Sequence, residues 1–487
     1  MILSMNNTYY KVCHHPKYID MLNPTPNLSF IVFFLPLFFA CSYASWTQQY
    51  GDSSSTNYIS SSNHTIAWNY TALGDEDSAS FFYGSPSMSE DGVVFIPFLE
   101  IPQYWLQVRA IAPGGKEIWM ANWIGEDESC SVVDLSNTLY SSEHKLVIVS
   151  WHCTAGGAYH EKAGEVVALN ATNGSLVWRS QKLKLLDSAS ISMSKKMVYV
   201  VSGYDCGRDN PVQSLDDQQA KQRPHKNDSI IAAIDISTGK LKWTQSLEHS
   251  GCDGQLKISY LPNDSVLLLI PYNLPYGPYL AGSLLGVSCL EDEGSVNCSS
   301  IWQENLRLSY EAKFAFTVNG SFAYGSYGFA GNPDLIFGLN TKTGKLEFSN
   351  HGYCDEGAYP SGPSVDASGI AYYNCGNRVF SVNTKGKLIW KSKQLSEKGY
   401  TFETLFKQSP SLHIDENLVV SSDSDGEFIY ILSMKDGSLK SSFNTTLLLS
   451  NSVITEPPIL YGDNVCIIKA TKYVDYFLFS LPLISED

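Results

Sequence analysis

The sequence predicts an all-β fold, an eight-bladed β-propeller of four-stranded antiparallel blades whose last blade is closed by strands from both termini. Three observations predict it. A pair of strands joined by a glycine turn recurs along nearly the whole chain. A second strand pair precedes each copy. Strands run out at the C-terminus, while a spare one stands near the N-terminus.

The glycine-turn half reads VRAIAPGGKEIW (108–119), VVALNATNGSLVW (166–178), IIAAIDISTGKLKW (230–243), LIFGLNTKTGKLEF (335–348), RVFSVNTKGKLIW (378–390) and FIYILSMKDGSLKSSF (428–443), with a degenerate copy at 284–302. Alternating apolar residues around a turn that needs positive φ make a β-hairpin, and the closing aromatic packs on the next unit. The other half ends on β-branched or aromatic runs: SPSMSEDGVVFIPF (85–98), SASISMSKKMVYVVS (188–202), SGPSVDASGIAYYN (361–374) and SPSLHIDENLVVSS (409–422), with related stretches near 130–150, 253–271, 309–326 and 454–470. That makes eight first halves and seven complete second halves. YFLFSLPLI (476–484) lacks its closing strand, which HTIAW (64–68) supplies. The unit is about 55 residues, within reach of a blade with long loops. A β-solenoid or two stacked sandwiches would also repeat, but neither needs its last strand from the other end of the chain.

Composition agrees with a large globular fold. Of 487 residues, 44% are hydrophobic, 13% aromatic and 17% charged, which excludes a disordered or fibrous chain. Lys and Arg number 33 against 49 Asp and Glu, a net charge of −16. That sign excludes nucleic acid and anionic membrane surfaces, which demand clustered cations.

The N-terminus reads as a targeting segment. Lys11 and Lys17 precede an apolar run from Leu28 to Ala40, broken by Pro36 and too short to span a bilayer comfortably. Ser42 and Ala44 set up cleavage after residue 44, so residues 1–44 are an extension plus signal peptide, with Met21 an alternative start. An uncleaved anchor is the competing reading. No other segment reaches spanning length, and 45–487 is expected to be a single propeller without a stable membrane span. Sequons stand at Asn63, Asn69, Asn170, Asn173, Asn227, Asn263, Asn297, Asn319 and Asn444. Together these predict a glycoprotein of the secretory pathway, secreted or lumenal.

The best copy, AIDISTGKLKW from Ala233 to Trp243, resembles the tryptophan-docking motif of pyrroloquinoline-quinone-type propellers, and the resemblance runs over most of the chain. That family includes quinoprotein alcohol and sugar dehydrogenases, a non-catalytic bacterial outer-membrane assembly lipoprotein and lumenal stress-sensor domains. The resemblance implies the fold. Its dehydrogenases carry adjacent disulfide-bonded cysteines and a calcium-ligating carboxylate beside an Asp base; this sequence has no Cys-Cys pair and no Cys-x-x-Cys-His. No catalytic residue is carried over.

In such a propeller, strand order places Cys130 beside Cys153, Cys354 beside Cys375, Cys206 beside Cys252 and Cys289 beside Cys298. Three of these four disulfides would brace one face. Metal binding is the alternative for the eight, without Cys-x-x-Cys spacing to support it. Cys466 is left as a buried thiol and Cys41 lies in the signal region.

The braced face also carries the long loops, above all residues 203–227, with PQYW (102–105), WHCTAGGAYH (151–160) and PYNLPYGPY (271–279) near it. Aromatics with His and Pro on such loops read as a ligand-binding rim: Trp105, Trp151, His160, Tyr204, Asp205, Arg208 and Tyr276, with Arg378 directed at the central channel. Packing of these aromatics on one another is the plainer reading. DSDGE (423–427) lacks the remaining ligands of a calcium loop and reads as a turn; EDESC (126–130) and LEDEG (290–294) read as solvated acidic turns. Nucleophile-elbow, phosphate-loop and zinc-helix motifs are lacking, and His152 and His160 have no partnered carboxylate motif.

The function expected is therefore a ligand-binding propeller without recognisable catalysis, whose partner is a protein or carbohydrate and which needs no cofactor. The alternative is a dehydrogenase of alcohols or sugars that uses pyrroloquinoline quinone with calcium at an atypical site.

Overall fold

The computed structural model describes residues 69–72, 79–82, 86–101, 105–123, 133–135, 138–153, 164–183, 188–203, 229–247, 256–261, 265–273, 282–292, 295–304, 313–327, 335–354, 358, 360–395, 409–414, 416–422, 428–444, 452–454, 459–461, 464–471 and 476–482. All lie in the compact unit Ser45–Asp487. Their regular structure is strand throughout, in eight antiparallel sheets each built on a path of four strands.

Sheet 1 holds Ala79–Phe82 and Ser87–Met88, then Val94–Ile101, Trp105–Ile111 and Glu117–Trp123. Sheet 2 holds Val133–Leu135 and Leu139–Ser141, then Leu146–Cys153, Gly164–Asn170 and Leu176–Arg179. Sheet 3 is Ser188–Met193, Met197–Gly203, Ser229–Asp235 and Leu241–Leu247; sheet 4 is Lys257–Leu261, Ser265–Asn273, Gly282–Asp292 and Ser295–Glu304. Sheet 5 is Lys313–Phe316, Phe322–Tyr327, Leu335–Asn340 and Leu346–His351; sheet 6 is Ser364–Val365, Ala371–Cys375, Arg378–Val382 and Leu388–Lys391. Sheet 7 is Ser411–His413, Leu418–Ser422, Phe428–Ser433 and Leu439–Asn444.

Sheet 8 joins the two ends of the chain. Ser452–Ile454 and Ile459–Tyr461 pair with Asn464–Thr471, which pairs with Tyr476–Pro482, and the outer place is taken by Asn69–Ala72. The N-terminal contribution thus sits just beyond the expected HTIAW, which lies outside the described residues. In sheets 1, 2 and 8 the first strand is in two pieces.

Successive sheets pack together from sheet 1 to sheet 8: first strands lie beside one another, except that the first strand of sheet 3 meets the second strand of sheet 2. This is the blade arrangement of a β-propeller. Inner strands covered on both faces read as continuous apolar runs: Val147, Val149 and Trp151 face sheet 1, while Ile148 packs toward sheet 3.

The repeated motif follows from one joint. In sheets 1 to 7 the pairing of third and fourth strands shifts register once, just before the glycine turn in every sheet but sheet 4, whose ladder runs on past the shift to Asp292 and Ser295. There Ala110, Ala168, Ala233, Gly286, Gly338 and Ser381 stand opposite Trp119, Trp178, Trp243, Trp302, Phe348 and Trp390. A small residue is needed because the ring folds over it: a Cβ on Gly286 would enter Trp302.

Five of these rings, all but Trp243, then lie on the turn glycine of the following sheet. A Cβ built on Gly174 would be 2.6 Å from Trp119, and one on Gly239 2.6 Å from Trp178. The indole N–H donates to the carbonyl three residues before that glycine: Trp119 to Ala171 (2.9 Å), Trp178 to Ile236 (2.9 Å), Trp302 to Thr341 (2.7 Å) and Trp390 to Met434 (2.7 Å). Each clasp hides an aromatic surface and satisfies a turn carbonyl in one contact.

Sheet 7 departs from the pattern. Ile431 faces Ser441, and the expected closing aromatic, Phe443, falls two residues past the docking position. Sheet 4 lacks the ordinary turn as well. Its junction with sheet 3 is made by the buried Tyr199, whose hydroxyl donates to Glu291 Oε1 (2.7 Å), and by Lys196, which donates to the Glu291 carbonyl (3.0 Å).

Candidate functional site

Because the second and third strands of every sheet are antiparallel, the end of one and the start of the other lie at the same end of the sheet, here called the loop end. The glycine hairpins occupy the opposite, hairpin end. Trp105 opens the third strand of sheet 1, Trp151 lies near the end of the second strand of sheet 2, and Arg378 opens the third strand of sheet 6. Residues 154–163, 204–228 and 274–281 join the second and third strands of sheets 2, 3 and 4. The calls on His160, Tyr204, Asp205, Arg208 and Tyr276 fall in these stretches, outside the described residues. Among the described residues, strand order places Trp105, Trp151 and Arg378 at the loop end.

Two of the candidates are not placed as a rim requires. Trp151 is 4% exposed, packed with Val108, Trp119 and Val149 between sheets 1 and 2. Its Nε1 is buried without a hydrogen-bond partner, which costs about 1–3 kcal/mol. Its apolar body fills the gap between sheets, and that outweighs the lost bond. Arg378 is bonded toward the outer edge of its sheet: its Nη1 donates to the Ser392 carbonyl (3.0 Å), just past the fourth strand.

The loop end of sheet 2 is also charged, and sheet 1 carries charge nearer its hairpin end. Glu165 pairs in register with Trp151, and its Oε2 is 3.7 Å from the Arg179 guanidinium. On sheet 1, Arg109 donates through Nε and Nη2 to Gln107 Oε1 (3.1 and 2.9 Å), stands 3.8 Å from Glu117 and lies 4.9 Å above the Phe98 ring. A buried network that sequence reasoning missed links sheets 6 and 7: Ser421 Oγ donates to Asn374 Oδ1 (2.9 Å), and the Asn374 N–H donates to Ser361 Oγ (2.9 Å). The repeated Ser-Pro-Ser and Ser-Gly-Pro-Ser starts of the first strands were its trace in the sequence.

Two of the four expected disulfides are present: Cys289–Cys298, at 4.0 Å between Cα atoms, and Cys354–Cys375, at 5.4 Å. The pairs Cys130–Cys153 and Cys206–Cys252, and the side chain of Cys466, lie outside the described residues. Among the sequons, Asn173, Asn297 and Asn319 are exposed at the hairpin end and Asn170 is half-buried. Asn69 and Asn444 are described only as backbone; Asn63, Asn227 and Asn263 are not described. Glu291 in LEDEG, expected at a solvated turn, is instead the buried acceptor of Tyr199. DSDGE and EDESC lie outside the described residues, as does the side chain of His152.

Residues 107–259 match the family described as outer membrane protein assembly factor BamB, a family of the pyrroloquinoline-quinone repeat. A europium-containing methanol dehydrogenase superposes with a TM-score of 0.55 at 12% identity, covering 90% of this chain and 98% of its own. Over residues 107–259 the chain resembles the pyrroloquinoline-quinone repeat, and its sheets as a whole have the β-propeller fold. The β-propeller domain of the Trilobed protease from Pyrococcus furiosus, described as having an open velcro topology, is 9% identical over 86% of this chain and 99% of its own, with a TM-score of 0.40. No curated protein matches in sequence. At these identities the likeness is one of fold. Among the described residues, no three His, Cys, Asp or Glu side chains converge.

Proposed function

We propose that this quinone-repeat propeller is a secreted or lumenal glycoprotein, an eight-bladed ring closed through sheet 8, that binds a protein or carbohydrate at its loop end. The observation that carries the reading is the division of labour between the two ends. At the hairpin end the turns are consumed by the ring-on-glycine clasps. At the loop end, the second and third strands of sheets 2, 3 and 4 are joined by residues 154–163, 204–228 and 274–281, connections longer than a hairpin needs. Cys289–Cys298 and Cys354–Cys375 favour an oxidising compartment, and exposed Asn173, Asn297 and Asn319 are placed to carry glycans. Among the described residues no helix is long and apolar enough to cross a membrane.

The test is a thermal-unfolding titration of the secreted protein with pyrroloquinoline quinone, with and without calcium. A quinone at one hundred times its dissociation constant would stabilise the fold by about 2.7 kcal/mol. No saturable shift is expected. A saturable, calcium-dependent shift would overturn the binding-module reading in favour of an alcohol or sugar dehydrogenase.

A further inference from the structure

Three tyrosines occupy one repeat position. Tyr199, Tyr324 and Tyr372 each face the penultimate residue of their sheet's first strand, Ser192, Ala315 and Ser364 respectively. Two of them reach across to the next sheet: Tyr199 donates to Glu291 of sheet 4, and Tyr324 to the Gly369 carbonyl of sheet 6. Tyr372 does not cross. Its hydroxyl turns back to Asp366 Oδ2 of its own sheet (2.9 Å). The junction of sheets 6 and 7 is left with a cleft of about 530 Å³ at the hairpin end, within the size range of small-molecule sites.

The lining has a definite chemistry. Ile370 and Tyr372 of sheet 6 and Leu418 and Met434 of sheet 7 make it apolar. Asp366 and Glu416 supply two carboxylates, and Lys435 and Lys440 two ammonium groups. Asp366 is held in place by three donors on Oδ1, from Ser368 N–H (2.9 Å), Ser368 Oγ (2.7 Å) and Ile370 N–H (2.9 Å). Its Oδ2 keeps acceptor capacity beyond the Tyr372 bond. A simple anion entering this cleft meets two carboxylates, and a simple cation meets two lysines. A ligand with both charges on neighbouring atoms and an aliphatic body satisfies every wall at once.

We propose that the cleft between sheets 6 and 7 binds a free aliphatic α-amino acid, its ammonium toward Asp366 and Glu416, its carboxylate toward Lys435 and Lys440, and its side chain on Ile370, Leu418 and Met434. The site lies at the hairpin end and is independent of the loop-end reading. The test is calorimetric titration of the whole secreted protein with L-leucine, isovalerate (no ammonium) and isoamylamine (no carboxylate). L-Leucine is expected to bind saturably and each single-charge analogue roughly tenfold or more weakly. Glu416→Gln and Lys440→Gln should each weaken leucine by roughly tenfold without moving the thermal midpoint, with Lys435→Gln as the reserve variant. Absence of saturable heat with leucine at millimolar concentration overturns the proposal. So does equal binding of isovalerate or isoamylamine, or leucine affinity unchanged in the variants.

Discussion

Phe348 lies on Gly386 as the tryptophans lie on their glycines; a Cβ on Gly386 would stand 2.5 Å from the Phe348 ring. Phenylalanine has no N–H to donate, and the turn of sheet 6 is one residue shorter than those the tryptophans grip, Val382 to Leu388 against Leu169 to Leu176. The missing bond is replaced from the same side. Asn350 Nδ2 (2.8 Å) and the Tyr353 hydroxyl (2.7 Å) both donate to the Gly386 carbonyl. Ring and turn vary together because they form one joint.

Substitution of the turn glycines should separate backbone strain from ring contact. Gly239→Ala meets both a φ of +70° and Trp178 at 2.6 Å, and should destabilise by roughly 2–4 kcal/mol. Gly114→Ala meets a φ of +102° with nothing within 4 Å, and should lose only about 1–2 kcal/mol. Chemical denaturation of the two variants reads the difference, and equal losses would refute the ring-on-glycine account.

Trp178→Phe should prove more damaging than Trp151→Phe. The first leaves the Ile236 carbonyl short of a donor inside a clasp, at about 1–3 kcal/mol. The second removes an N–H that has no partner, so only ring volume is lost. Paired denaturant midpoints settle the order.

Alkali should weaken the fold. Burial, and after it the nearby carboxylates Glu291 and Asp366, push the Tyr199 and Tyr372 hydroxyls far above the ordinary tyrosine value; burial first and Asp366 second do the same to Tyr324. The folded state thus holds these protons more tightly than the unfolded chain. Their contribution is complete below about pH 10 and is lost as pH rises beyond it. Denaturant midpoints across that range should fall, and the fall should be shallower in Tyr324→Phe.

Loss of a disulfide should cost more where the loop it closes is longer. Cys289–Cys298 closes a separation of 9 residues and Cys354–Cys375 one of 21, so chain entropy assigns them about 2.6 and 3.3 kcal/mol. Stability of Cys→Ser pairs at each site should follow that order.

Much of the fold was legible because the joint between sheets demands particular residue types: a small residue opposite the ring, an aromatic, and a glycine under it. Where the joint changes, reading fails. Phe443 looked like the closing aromatic of sheet 7, yet the register puts Ser441 opposite Ile431. Glu291 looked solvent-exposed because nothing local shows that Tyr199, far away in sequence, points at it. The candidate site was legible only to the level of strand order. Trp151 is aromatic whether it lines a rim or fills a core, and only its neighbours across sheets 1 and 2 decide which.

The pairing of Asn69 with Phe479 sets a timetable for synthesis. Asn69–Ala72 leaves the ribosome long before Tyr476–Pro482 exists, so this edge has no native partner until that strand is made. Assembly of sheet 8 therefore waits on contact between segments about four hundred residues apart. A premature stop before Tyr476 would strand the N-terminal edge and release a chain with two unpaired rims, a substrate for chaperones and quality control.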